Sequence, residues 1–168
     1  MIGLVPFLIF CQALGASVGA FSAVWGELAY LRAMRDGKID HAERAHMQAI
    51  GRGLRFGMTL LLAASLVLVV VAYLIHAAEQ PAFSASYWTL IVLALVVTTV
   101  SWALSRKRIS FALGSAVAFT GWWFLAFLTL GQVPKLSFGA TAAFFVVATA
   151  IFYALLSYAR MLAREDYE

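Results

Sequence analysis

Phe56-Gly57-Met58-Thr59-Leu60-Leu61-Leu62-Ala63-Ala64-Ser65-Leu66-Val67-Leu68-Val69-Val70-Val71-Ala72-Tyr73-Leu74-Ile75 decides the fold. A helix needs about 20 predominantly apolar residues to cross the hydrocarbon layer of a bilayer, and this stretch supplies them without a charge. Four other stretches read the same way: Leu4 to Tyr30, Tyr87 to Leu104, Ile109 to Leu130 and Leu136 to Tyr158. The reading is an all-α, polytopic membrane protein with five transmembrane helices in one domain, residues 1–168.

Composition agrees. The chain is 64% hydrophobic and 12% charged, whereas soluble domains carry roughly 25% charged residues. The formal charge of +4 does not point to nucleic acid, because the basic residues sit in short connections between spans. The single cysteine, Cys11, lies in an apolar run. One chain therefore has no disulfide framework, no Cys-x-x-Cys redox pair and no cysteine-based zinc site. The start, Met1-Ile2-Gly3-Leu4-Val5, lacks the basic residues that open a cleaved signal peptide, so the first span is expected to be retained.

The connections predict orientation. Arg32, Arg35, Lys38, Arg44, Arg52 and Arg55 lie between the first two spans. Arg106, Lys107 and Arg108 lie between the third and fourth, and Arg160 and Arg164 follow the fifth. The opposite connections hold Glu79 and Lys135. The positive-inside rule then predicts an N-terminus outside and a C-terminus in the cytoplasm of a bacterial-type inner membrane. Tyr87 and Trp88 on one side, and Tyr30, Trp102 and Tyr158 on the other, stand where interfacial aromatic belts form.

Arg35-Asp36-Gly37-Lys38-Ile39-Asp40 reads as a helix stop and restart. Gly37 suits the left-handed residue that ends a helix, and Asp40 with Glu43 is a capping-box variant. The next proline is Pro81, so the second helix is expected from about His41 to Ala78, roughly 57 Å at 1.5 Å per residue. Pro81 and Pro134 fall in connections, where breaking a helix is harmless.

The first span carries a ridge of small residues at spacing four: Gly15, Gly19 and Ala23, between Cys11 and Glu27. Residues four apart share a helix face, and small ones let another backbone approach. The second helix has its own small face at Ala49, Gly53 and Gly57. The two faces suit packing between neighbouring helices of one chain, or a seam between copies of it.

Glu27 is an acid within an apolar run, where an ionisable group needs a partner or a function. A hairpin turning near Gly37 sets Glu27 level with about position 48, close to His46, with Glu43 and Arg52 within a further turn. Three readings follow. Glu27 pairs with Arg52 or Arg55. Alternatively Glu27, Glu43, His46 and Arg52 handle a proton or small cation. Or Glu43, His46 and Glu27 hold a metal: Glu43-Arg44-Ala45-His46 has the i,i+3 spacing of carboxylate-bundle metal proteins, although only a dimer would complete such a ligand set.

The histidines are His41, His46 and His76, all on one expected helix. His46 and His76 stand about 45 Å apart along it, so they cannot clamp one haem iron within a chain. His76 is expected at the outer interface. Trp122 and Trp123 lie mid-span among Phe119, Phe124 and Phe127, as packing or as an aromatic wall for an apolar, quinone-like ligand. Spans three to five lack charged side chains, which argues against a wide aqueous path through one chain. No nucleophile elbow, His-Glu-x-x-His pair or phosphate loop is present, so catalysis is not expected, and no cofactor is named.

Five spans and abundant tryptophan are shared with the tryptophan-rich sensory proteins that bind porphyrins, but that family's Trp-Pro loop motifs are missing and its function is not carried over. The stretch from Glu27 through Arg35-Asp36-Gly37-Lys38-Ile39 to Glu43, with Gly121-Trp122-Trp123, resembles small five-span bacterial membrane proteins over about a third of the chain. That resemblance implies a shared fold and no activity. The functional expectation is a homo-oligomeric transporter or channel-like protein for a small ion or solute. The alternatives are a non-catalytic subunit or assembly factor of a larger membrane complex, and a metal- or haem-linked redox protein. The expected partners are the lipid bilayer and either copies of itself or other membrane subunits, not nucleic acid.

Overall fold

The computed structural model describes residues 3–36, 41–77, 80–132 and 137–165, with side chains for all of these except 34–36, 41–44 and 164–165. Five helices are long and apolar enough to cross a membrane: α1 (Leu4–Asp36), α2 (His41–Leu74), α3 (Ala85–Ser105), α4 (Phe111–Thr129) and α5 (Phe138–Glu165). Gly37, Asp40, Lys135 and Pro134 lie outside the described residues, as does the side chain of Glu43. The expected helix stop at Gly37 and the Asp40–Glu43 cap therefore fall outside the description.

Serines start three of the helices. Ser84 and Ser110 accept from the backbone N–H of Tyr87 and Leu113, and Ser137 from that of Ala140. Each satisfies one of the N–H groups that a first turn leaves free. Three helices end in the same way. The sixth residue of the closing turn donates back to the first, and the residue between takes a left-handed conformation. The donors are Ala77 to the Ala72 carbonyl, Arg108 to Ala103 and Gln132 to Phe127. The left-handed residues are His76, Lys107 and Gly131. This is why α2 stops at Leu74 and not at Ala78. The Gln80 side chain also donates to the Ala72 and Ala77 carbonyls there.

Only glycine adopts the left-handed conformation without a steric cost, which is about 1 kcal/mol for other residues. Lys107→Gly is expected to raise stability by up to about 1 kcal/mol, read as a higher unfolding midpoint. A lower midpoint would show that the Lys107 side chain contributes more than its backbone costs.

The bundle is built around α4, which packs on α1, α3 and α5, while α2 packs almost wholly on α1. Lipid tails are as apolar as leucine, so close packing and hydrogen bonds hold such helices together. A Cβ on Gly15 would lie 2.7 Å from the Gly57 carbonyl oxygen and 2.8 Å from the Leu61 nitrogen. Trp122, 2% exposed, lies where Gly19 has no side chain, and Val97 lies where Gly121 has none. Deeper in the α1–α2 contact, the Gln12 side-chain amide donates to Ser65 Oγ at 2.8 Å, and Ser65 donates to the Leu61 carbonyl. Outward-facing side chains such as Phe7, Phe10, Phe21, Leu66, Tyr73, Phe144 and Val146 are exposed. So broad an apolar surface suits a membrane-embedded protein.

At 33 and 34 residues, α1 and α2 are each about 50 Å long, against about 30 Å for α3 and α4. The Tyr30 and Phe111 rings meet at 4.1 Å, which sets Tyr30 level with the start of α4. The last turns of α1 and the first of α2 therefore project beyond the α3–α4 connection. This end of the bundle, which carries the arginine-rich connections, is called the basic end below.

Candidate functional site

Glu27 is buried, 9% exposed, on the face of α1 that meets α4 and α5. Its partner is Arg160 of α5. Arg160 Nη2 lies 2.7 Å from Glu27 Oε2 and 2.6 Å from Ser115 Oγ on α4. Arg160 is itself 8% exposed, and its guanidinium carbon stands 5.3 Å and 5.2 Å from the Tyr30 and Phe111 ring centroids. A weakly hydrated planar cation favours aromatic contacts of this kind. Three helices are thus tied at the basic end by one guanidinium. Its Nε and Nη1 are buried without hydrogen-bond partners among the described residues.

The expected pairing of Glu27 with Arg52 or Arg55 is corrected. Both arginines lie on the exposed face of α2, while Glu27 turns the other way. The sequence reading sets Arg160 after the fifth span, on the cytoplasmic side. In fact α5 continues to Glu165, and Arg160 lies inside it. The fifth helix therefore does carry a buried charge. The same sequence showed the signal: Met161-Leu162-Ala163 continues the apolar run, so Arg160 interrupts α5 as Glu27 interrupts α1.

His46 is exposed and does not join Glu27. Its Nε2 accepts a hydrogen bond from Trp25 Nε1, with the ring centroids 5.8 Å apart. Glu27, His46 and Arg52 are thus spread over separate faces, and the described residues hold no group of three potential metal ligands. Gly15, Gly19, Gly53 and Gly57 lie in the α1–α2 contact of one chain, with Gly53 against the Ser22 hydroxyl.

A cavity of about 390 Å³ lies against the Glu27–Arg160 pair. Its floor is α1 and α4, and its sides are α2 and α3, which barely touch one another. Glu27, Tyr30 and Ser115 line it, together with Ser22, Ser101 and Ser105. Arg160 stands behind them and does not reach it. Trp122 closes the cavity toward the bundle centre, beside Phe119. Of the paired tryptophans, only Trp122 lines the cavity. Trp123 packs with Phe21, Phe119 and Phe127. Sequence reasoning did not join Ser115, Tyr30, Phe111 or the serines of α3 to Glu27, because small hydroxyls and aromatics within a span are ordinary helix residues until a neighbour is placed beside them.

Comparisons with protein-family models, with curated proteins and with solved structures found no match to this chain. The functional reading therefore rests on the geometry of this site.

Proposed function

We propose that the chain is a small carrier that binds a solute in the cavity beside Glu27 and passes it across a bacterial-type inner membrane. The N-terminus lies outside and the basic end faces the cytoplasm. The observation that carries this reading is the cavity itself: a cleft open between α2 and α3, within the range of about 300–1,000 Å³ that small-molecule sites occupy, mostly apolar, with a few convergent polar groups. Glu27 is neutralised by Arg160. A small neutral solute therefore suits the chamber better than an ion, which would need a net opposite charge or a ring of ligands.

Ala118 lines the chamber, so a thiol placed there reports access. With Cys11→Ser as background, a carrier is expected to expose the thiol of Ala118→Cys to a membrane-impermeant maleimide from either side. Inside-out and right-side-out vesicles would each show labelling. Labelling from one side alone would refute transport.

A second reading, a non-catalytic subunit of a larger complex or of a homo-oligomer, is favoured by α5. That helix leaves Phe144, Val147, Ile151 and Leu155 exposed. Native mass spectrometry of gently solubilised protein separates these two assemblies from a lone chain in lipid.

A further inference from the structure

The hydroxyls of the chamber carry chemical information. Ser101 donates its hydrogen to the Val97 carbonyl at 2.7 Å, and Ser105 to the Trp102 carbonyl at 2.7 Å. Ser115 lies 3.3 Å from the Ala112 carbonyl oxygen while accepting from Arg160. A serine hydroxyl has one hydrogen and two lone pairs, so donating to its own helix leaves it an acceptor toward the cavity. Glu27 adds a carboxylate, and a carboxylate only accepts. Arg160 bonds its Oε2, and Oε1 has no hydrogen-bond partner among the described residues. The polar end of the chamber therefore presents acceptors from Glu27, Ser101 and Ser105, and the Ser22 and Tyr30 hydroxyls there can donate as well as accept. Its charge is nearly balanced, because the guanidinium stands directly behind the carboxylate. A cation's attraction to the carboxylate would be offset by the guanidinium behind it, and an anion would meet the carboxylate first. The remaining walls are apolar or aromatic, including Ile50, Leu54, Phe119 and Trp122.

We propose that the chamber selects a neutral amphipath bearing an O–H or N–H donor on an aromatic or aliphatic body. The donor goes to Glu27 Oε1 or a serine oxygen of α3, and the body lies along Trp122 and Phe119. The inference rests on the carrier reading for its choice of site, but its test does not need transport. The separation of α2 from α3 lets such a molecule enter from the bilayer.

The probe is 4-hexylphenol, compared with its methyl ether 4-hexylanisole, which has the same body and no donor. The readout is alkylation of Ala118→Cys, with Cys11→Ser, by lipid-soluble N-ethylmaleimide in nanodiscs. Val147→Cys on the exposed face of α5 serves as the lipid-side control. At about ten times the concentration at which the phenol halves the rate, the phenol is expected to slow alkylation at position 118 by about tenfold and the ether, at the same concentration, by less than about twofold, the difference one hydrogen bond to a charged acceptor makes. Neither should slow the control. Glu27→Gln should abolish most of the phenol's protection. Ser101→Ala, which keeps the ion pair, should weaken it several-fold if Glu27→Gln fails to fold. Equal protection by phenol and ether would overturn the proposal, as would stronger protection by hexylammonium or none by the phenol. Because the reagent crosses lipid, selective protection would stand even if two-sided access failed and the carrier reading fell.

Discussion

Arg160→Met is expected to destabilise the protein by about 3–5 kcal/mol, because it leaves the Glu27 carboxylate buried without its counter-charge. The loss should appear as a lower unfolding midpoint in mild detergent. Glu27→Leu alone should cost a comparable amount, since it strands the guanidinium between Tyr30, Phe111 and Ser115. The double variant Glu27→Leu, Arg160→Met should recover much of the loss. Replacing a whole buried pair by apolar groups of similar size is often close to neutral. Arg52→Met and Arg55→Met, on the exposed face of α2, should each stay within about 0.5 kcal/mol. An Arg52→Met variant as unstable as Arg160→Met would mean that Glu27 has the wrong partner here. The interest of the pair is that it reaches across three helices. Breaking it would loosen α5 and reshape the chamber beside Glu27.

Gly57→Ala is the second substitution expected to have a large effect, although it adds only one methyl group. A Cβ there would lie 2.6 Å from the Gly15 carbonyl oxygen and 3.0 Å from the Gly19 nitrogen. Both are backbone atoms and cannot turn aside, so α1 and α2 would have to separate. Overpacking of this kind costs about 1–3 kcal/mol, and a bulkier side chain more. Gly139→Ala is the control, because nothing lies within 4 Å of the added carbon. It should leave the unfolding midpoint almost unchanged. A different pattern would point elsewhere. If Gly57→Ala kept the midpoint and split a homo-oligomer on native mass spectrometry, the glycines would be meeting between chains.

Much of the fold was legible because the controlling physics is local. A charge-free run such as Phe56–Ile75 has to satisfy its backbone internally in lipid, and a helix does so. The starts of the last three helices were legible only approximately: the expected Tyr87, Ile109 and Leu136 shift to Ala85, Phe111 and Phe138, where Ser84, Ser110 and Ser137 supply the caps. The ends were less legible. Gly131 is the usual left-handed residue, but His76 and Lys107 occupy the same conformation without being glycine. Hydrogen bonds from Ala77 and Arg108 hold them there, and composition does not show that.

The candidate site divides along the same line. Sequence alone determined that five apolar helices exist, that small residues line facing stretches of α1 and α2, and that Glu27 needs an explanation. These follow from polarity and from periodicity along one helix. Only the tertiary structure decided that Glu27 faces Arg160, 133 positions away, and not the nearer Arg52. It also decided that Trp122 fills the space above Gly19, and that Ser22, Ser101, Ser105 and Ser115 line one cavity. The physical reason is rotation. A hairpin sets the level at which two helices meet, but the turn of each helix about its own axis is set by packing against all its neighbours. A rotation of one residue, about 100°, decides which side chain is buried.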